Sequence, residues 1–160
     1  MVNTQREGAS VIDEEAFRVT RSIEIAASAD KVWRAITEPE HLSLWFGRTV
    51  LAGAGAGAQG TMSFDGYGAV PIRVESIDAP RSVTYRWNND DARGVLPPGS
   101  SRRPRRCSRS RSRSRGEITR LTVVESGFER TSDPRANLES HRAGWELELD
   151  KLVSLLEAGR

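Results

Sequence analysis

Residues 133 to 159 read DPRANLESHRAGWELELDKLVSLLEAG. Leu138, His141, Trp145, Leu149, Leu152 and Leu156 recur every three or four residues, the spacing that lines side chains along one face of an α-helix. Asp133 is a good N-cap, Pro134 suits the first helical position, and Gly159 follows the end. The pattern predicts one continuous amphipathic helix reaching Glu157, about six turns long. A helix with a single apolar stripe needs an apolar surface to lie on, and the upstream sequence has to supply it.

Working back from that helix, the sequence offers strands. Residues 117 to 125 place Ile118, Leu121 and Val123 in imperfect alternation but are rich in β-branched side chains. Strands are expected at 61 to 64, 69 to 77 and 82 to 87, with turns at Gly66 and Gly68 and at Asp78-Ala79-Pro80-Arg81. Arg48 to Leu51 reads as a short strand. AGAGAGAQG, residues 52 to 60, reads as a connecting loop, and no Gly-Lys-Ser/Thr follows it to make a phosphate loop. Before these, Ser28 caps a helix with Val32, Trp33 and Ile36 on one face and Asp30 in its first turn. Glu38-Pro39 interrupts that helix, and Pro39 opens a second short one carrying Leu42, Trp45 and Phe46, with Gly47 as its stop. Phe17, Val19 and Ser22 to Ile25 give an interrupted alternation that reads as the first strand. Residues 1 to 15 are polar and aperiodic, a flexible tail. The order predicts an α+β domain over residues 16–158: an antiparallel sheet wrapped around a long C-terminal helix, with two short helices after the first strand.

Several motifs carry a family resemblance. In order they are Ala26-Ala27-Ser28-Ala29-Asp30-Lys31-Val32-Trp33, Thr37-Glu38-Pro39-Glu40-His41-Leu42, Trp45-Phe46-Gly47, and Ile77-Asp78-Ala79-Pro80-Arg81 with Tyr85 and Trp87. Thr119-Arg120-Leu121-Thr122, Glu125-Ser126-Gly127-Phe128 and Gly144-Trp145 follow. The set resembles the homologue family of the activator of the heat-shock-protein-90 ATPase, within the START-like (SRPBCC) superfamily, over about residues 17 to 94 and 116 to 157. The resemblance implies a helix-grip fold with an apolar cavity between the sheet and the C-terminal helix. Members of the superfamily include lipid carriers, polyketide cyclases and hormone-binding proteins, so the fold alone does not name a function.

The chain departs from the family pattern in an Arg/Ser-rich segment at 97–116. Eight Arg and no acid lie between Arg102 and Arg115, which leaves 16 basic against 22 acidic residues elsewhere. The basic balance therefore comes from one segment and implies no nucleic-acid surface on the body of the protein. After Leu96 the segment has no apolar side chain except Pro and Cys107, so it cannot supply an alternating buried face. Three readings stay open: an out-of-frame stretch, a disordered insertion, or a basic segment that binds nucleic acid or anionic membrane by charge alone. It is expected to contribute little to folding.

Composition narrows the chemistry. The single Cys107 cannot form an internal disulfide and suits a reducing, bacterial-type cytoplasm. The first residues contain no apolar leader region, and no apolar run is long enough to span a membrane. His41 and His141 are the only histidines, with no second His or Cys at ligand spacing, so neither a metal nor a cofactor is expected. His41 reads as a surface or capping residue and Trp33 as core. His141 lies on the apolar stripe one turn before Trp145, either packed near the sheet or facing a cavity as an orienting or proton-moving group.

The favoured function is non-enzymatic binding of a small apolar molecule in a cavity lined by Trp45, Phe46, Trp87, Phe128, His141 and Trp145, with Trp145 as its wall. A co-chaperone-like domain that engages a chaperone or other protein, and a cyclase- or hydrolase-type enzyme using His141, are the alternatives. Tyr85, Trp87, Phe64 and Ile72 should alternate between the faces of the sheet. Sequence alone does not fix their register, since a one-residue slip reverses every side chain.

Overall fold

The computed structural model describes residues 8–64, 68–87, 106–115 and 118–158, with residues 106–115 described by their backbone. The turn expected at Gly66, the first seven residues, and the parts of the Arg/Ser-rich segment at 97–105 and 116 lie outside the described residues.

Eight strands form one antiparallel sheet. They are β1 (Val11–Asp13), β2 (Arg18–Ile25), β3 (Arg48–Ala52), β4 (Gln59–Phe64), β5 (Gly68–Asp78), β6 (Ser82–Trp87), β7 (Arg106–Arg115) and β8 (Ile118–Ser126). Their spatial order is β1-β2-β8-β7-β6-β5-β4-β3. Helices α1 (Ala29–Thr37) and α2 (Pro39–Trp45) follow β2. A 3-10 turn at Phe128–Arg130 leads into α3 (Pro134–Glu157). This is the α+β, helix-grip arrangement implied by the sequence.

The local signals act as expected. Ser28 Oγ accepts from the Lys31 amide and starts α1, and Asp133 Oδ1 accepts from the Ala136 amide and starts α3. Pro39 opens α2. Leu138, Trp145, Leu149 and Leu152 of α3 are buried. They belong to one core with Val19, Ile23 and Ile25 of β2, Leu121 and Val123 of β8, Val83, Tyr85 and Trp87 of β6, and Val32, Ala35 and Ile36 of α1. The register that the sequence left open is now fixed. Ile72 stands opposite Trp87, and Val74 opposite Tyr85, and all four are buried.

Two glycines are needed for contact. A Cβ on Gly60 would lie 1.7 Å from the Val50 carbonyl oxygen, so β3 and β4 can pair there only around a glycine. A Cβ on Gly47 would lie 2.9 Å from side-chain atoms of both Met62 and Phe64, so this glycine lets the end of α2 close onto β4.

Three expectations are corrected. The tail is not loose throughout: Val11, Ile12 and Asp13 pair with Thr20, Val19 and Arg18, and Ile12 packs against the core. Trp33 is only half-buried against the core, while Val32 and Ala35 take the fully buried positions on α1. The largest correction is β7. Residues 106–115 form a strand inside the sheet, paired to β6 on one side and β8 on the other. Strand pairing needs only backbone N–H and C=O groups, and without β7 the facing edges of β6 and β8 would both lack partners. The run has no proline to remove a donor, and its Ser-Arg alternation keeps the period of two that a strand requires. Ser108, Ser110, Ser112 and Ser114 take the register positions opposite Glu125, Val123, Leu121 and Thr119, the buried set of β8.

Candidate functional site

The interior between sheet and α3 is organised by aromatic rings. Phe46, at the C-terminal cap of α2, stands at their centre. Its ring stacks on Trp45 at 5.2 Å between centroids and on Trp145 of α3 at 5.2 Å. It meets Phe64 of β4 edge-on at 5.3 Å and Trp87 of β6 at 5.7 Å. Trp87 and Trp145 stack on each other at 6.1 Å. These offset and edge-on arrangements are the ones aromatic quadrupoles favour. Trp45, Trp87 and Trp145 are buried, whereas Phe46 and Phe64 are half-buried. The Trp45 indole N–H donates to the Ala35 carbonyl at 2.8 Å, which fixes that ring against α1.

A polar pair lies one helical turn from Trp145. The Nδ1 atom of His141 lies 2.8 Å from Oε1 of Glu125, whose side chain is 0% exposed; that of His141 is 15% exposed. Phe128 meets the His141 ring edge-on at 5.3 Å. Burial of a carboxylate is costly unless a charged or hydrogen-bonding partner stands against it, and here the imidazole does. Elsewhere on the same face, the Tyr85 hydroxyl donates to the Ile36 carbonyl at 2.6 Å. Burial pushes the Tyr85 phenol above its ordinary pKa, so it stays a neutral donor. The Thr119 hydroxyl donates to the Ala27 carbonyl at 2.7 Å.

Of the residues expected to line one cavity, Trp45, Phe46, Trp87 and Trp145 come together, with Phe64 added. Phe128 and His141 pair with each other beside Glu125. The rings of the first group touch, so a guest there has to displace one of them. His41 lies apart, with Nε2 3.3 Å from Glu38 Oε2 on the half-exposed side of α2.

Sequence reasoning missed Glu125 and Arg21 for the same reason. On β8 the buried set is Thr119, Leu121, Val123 and Glu125, and on β2 it is Val19, Arg21, Ile23 and Ile25. Both are clean alternations of period two. They look broken only when charged side chains are assumed to face outward. Among the described residues, no group of three His, Cys, Asp or Glu is placed to hold a metal ion. No helix of the described residues is long and apolar enough to cross a membrane.

Residues 26–157 match the family described as Activator of Hsp90 ATPase homolog 1-like protein. No curated protein matches the chain. Among solved structures, DynU16, from the dynemicin biosynthetic locus, is 25% identical with a TM-score of 0.70; the match covers 89% of this chain and 48% of DynU16. This chain thus spans about half the length of DynU16. MLL2253 from Mesorhizobium loti is 23% identical with a TM-score of 0.70, covering 88% of this chain and 98% of that one. The Aha1 dimer from Colwellia psychrerythraea is 21% identical with a TM-score of 0.67, covering 89% and 98%.

Proposed function

This chain belongs to the Activator of Hsp90 ATPase homolog 1-like family, and we propose that it works there as a binding domain for a small apolar molecule, in the cytoplasm. The observation that carries the reading is the position of Phe46. It is a half-buried ring at a helix cap, stacked between two buried tryptophans. A guest that takes its place in the stack keeps the aromatic contacts of Trp45, Trp87 and Trp145 and pushes out the one central ring that already reaches solvent. Trp145 is the wall and Phe46 the gate. Affinity comes from apolar burial, and Glu125 with His141 supplies a polar group that orients the guest.

The Glu125–His141 pair also favours a second reading, in which the domain moves a proton on the bound molecule as a cyclase- or hydrolase-type enzyme does. A carboxylate that fixes an imidazole is a common basis for acid–base chemistry.

The test is titration with a neutral apolar fluorophore such as N-phenyl-1-naphthylamine, exciting tryptophan and reading energy transfer to the probe. Saturable binding to the folded protein, with quenching of tryptophan emission, is expected. Absence of binding at high micromolar probe removes the ligand-carrier reading and leaves a protein-interaction role as the better account.

A further inference from the structure

Arg21 is buried on β2, on the face that α3 covers. Its Nη1 donates to two main-chain carbonyls of α3, Trp145 at 3.0 Å and Glu146 at 2.7 Å. Its Nη2 donates to Asp150 Oδ1 at 2.6 Å, and its Nε donates to the Gly8 carbonyl. One guanidinium thus joins β2, the middle of the long helix and the chain before β1. The Ser10 amide, which donates to Glu146 Oε1 at 3.3 Å, ties the same point a second time.

We propose that Arg21 is the positioning residue for Trp145: it fixes the helix main chain at the ring that walls the site, so that Phe46 rather than α3 moves when a guest enters. The functional half of this inference rests on the binding role proposed above; the positioning half does not. Three points support it. A guanidinium presents its donors in a rigid plane, and here Nη1 reaches both consecutive carbonyls at the residue whose ring forms the wall while Nη2 and Nε hold Asp150 and the Gly8 carbonyl. Each carbonyl has a second lone pair, so it can accept from Arg21 without giving up its helical bond. The Asp150 side chain is 68% exposed, so the ion pair at the solvent end is worth little, and the position of the helix depends on the buried carbonyl bonds.

The experiment compares Arg21→Gln, Arg21→Lys and Asp150→Asn in the full chain, well below each variant's melting temperature. The first readout needs no ligand. Trp87 and Trp145 stack at 6.1 Å, close enough for exciton coupling of their indoles, which is expected to give a paired circular-dichroism band in the wild type that is lost in Trp145→Phe. Arg21→Gln is expected to lose that band while remaining folded. Arg21→Lys is expected to recover stability but not the full band, because one ammonium cannot hold the two helix carbonyls, Asp150 and the Gly8 carbonyl together. Asp150→Asn is expected to keep it. The second readout is the affinity for N-phenyl-1-naphthylamine, expected to weaken about tenfold in both Arg21 variants through lost pre-organisation and to stay near wild type in Asp150→Asn. An unchanged band in folded Arg21→Gln overturns the proposal. If that variant does not fold, an unchanged band in Arg21→Lys does so. If the probe fails to bind the wild type, the binding role falls, and the band alone still decides the role of Arg21.

Discussion

Nδ1 of His141 on α3 lies 2.8 Å from Oε1 of Glu125 on β8, and no part of that carboxylate's side chain reaches solvent. The contact ties the long helix to the sheet one helical turn from Trp145. Glu125 is fully buried and His141 largely so, so each loses a close polar partner that solvent does not freely replace when the other is removed. Glu125→Ala and His141→Ala should therefore each cost about 3–5 kcal/mol by denaturant unfolding. The double replacement Glu125→Leu with His141→Leu should cost less than the two singles summed, by more than about 1 kcal/mol. Additive effects would show that the two side chains do not depend on each other.

Tyr85 gives a pH dependence whose sign is fixed by burial. Desolvation raises its folded pKa above the unfolded value. Its contribution to stability is then fully present below about pH 10, the ordinary tyrosine value, and is lost as the pH rises above it. In an absorbance titration of phenolate, Tyr85 should resist ionisation until the protein unfolds in alkali, and Tyr85→Phe should remove that step. The same variant leaves the Ile36 carbonyl without its donor and should cost about 1–2 kcal/mol. Ionisation of Tyr85 near its ordinary value in the folded protein would contradict the burial argument.

Gly60 tests the pairing of β3 and β4. Because a Cβ there would collide with the Val50 carbonyl, Gly60→Ala should cost about 3 kcal/mol and raise amide exchange along both strands. Gly53→Ala, in the open loop, meets nothing within 4 Å but has a φ of 95°, so it should cost less, about 1 kcal/mol.

The strand at 106–115 yields the prediction furthest from a composition-based expectation. Replacing it with a short Gly-Ser linker should unfold the domain, since β6 and β8 each lose a paired neighbour. Ser110→Pro, which removes one interior donor from a strand paired on both sides, should lower the denaturant midpoint clearly. A linker variant that melts like the wild type would show that the strand is dispensable.

The long helix, its caps, the two short helices and the strands at β3 to β6 and β8 were legible because their apolar spacing and turn residues agree. The aromatic cluster was legible in part: Trp45, Phe46, Trp87 and Trp145 converge, yet nothing in their spacing said that Phe46 would sit among the other rings. Two kinds of information were hidden. Arg21 and Glu125 face inward, where charge is paired across elements far apart in sequence, and local pattern carries no sign of that pairing. The pairing of β7 is held by main-chain groups that every residue type shares, so an Arg-Ser run reads as a loop until its neighbours are known.

In the proposed binding role, Trp145 is the wall and Phe46 the gate. The two aromatic truncations measure it directly, with N-phenyl-1-naphthylamine titrated into Phe46→Ala and Trp145→Ala while both are folded. Phe46→Ala empties the place the guest would occupy and should bind the probe more tightly than the wild type. Trp145→Ala removes the stacking surface and should bind it about tenfold more weakly, besides costing about 3–5 kcal/mol of stability. Equal affinities in the two variants, or binding weakened by Phe46→Ala and untouched by Trp145→Ala, would contradict the account.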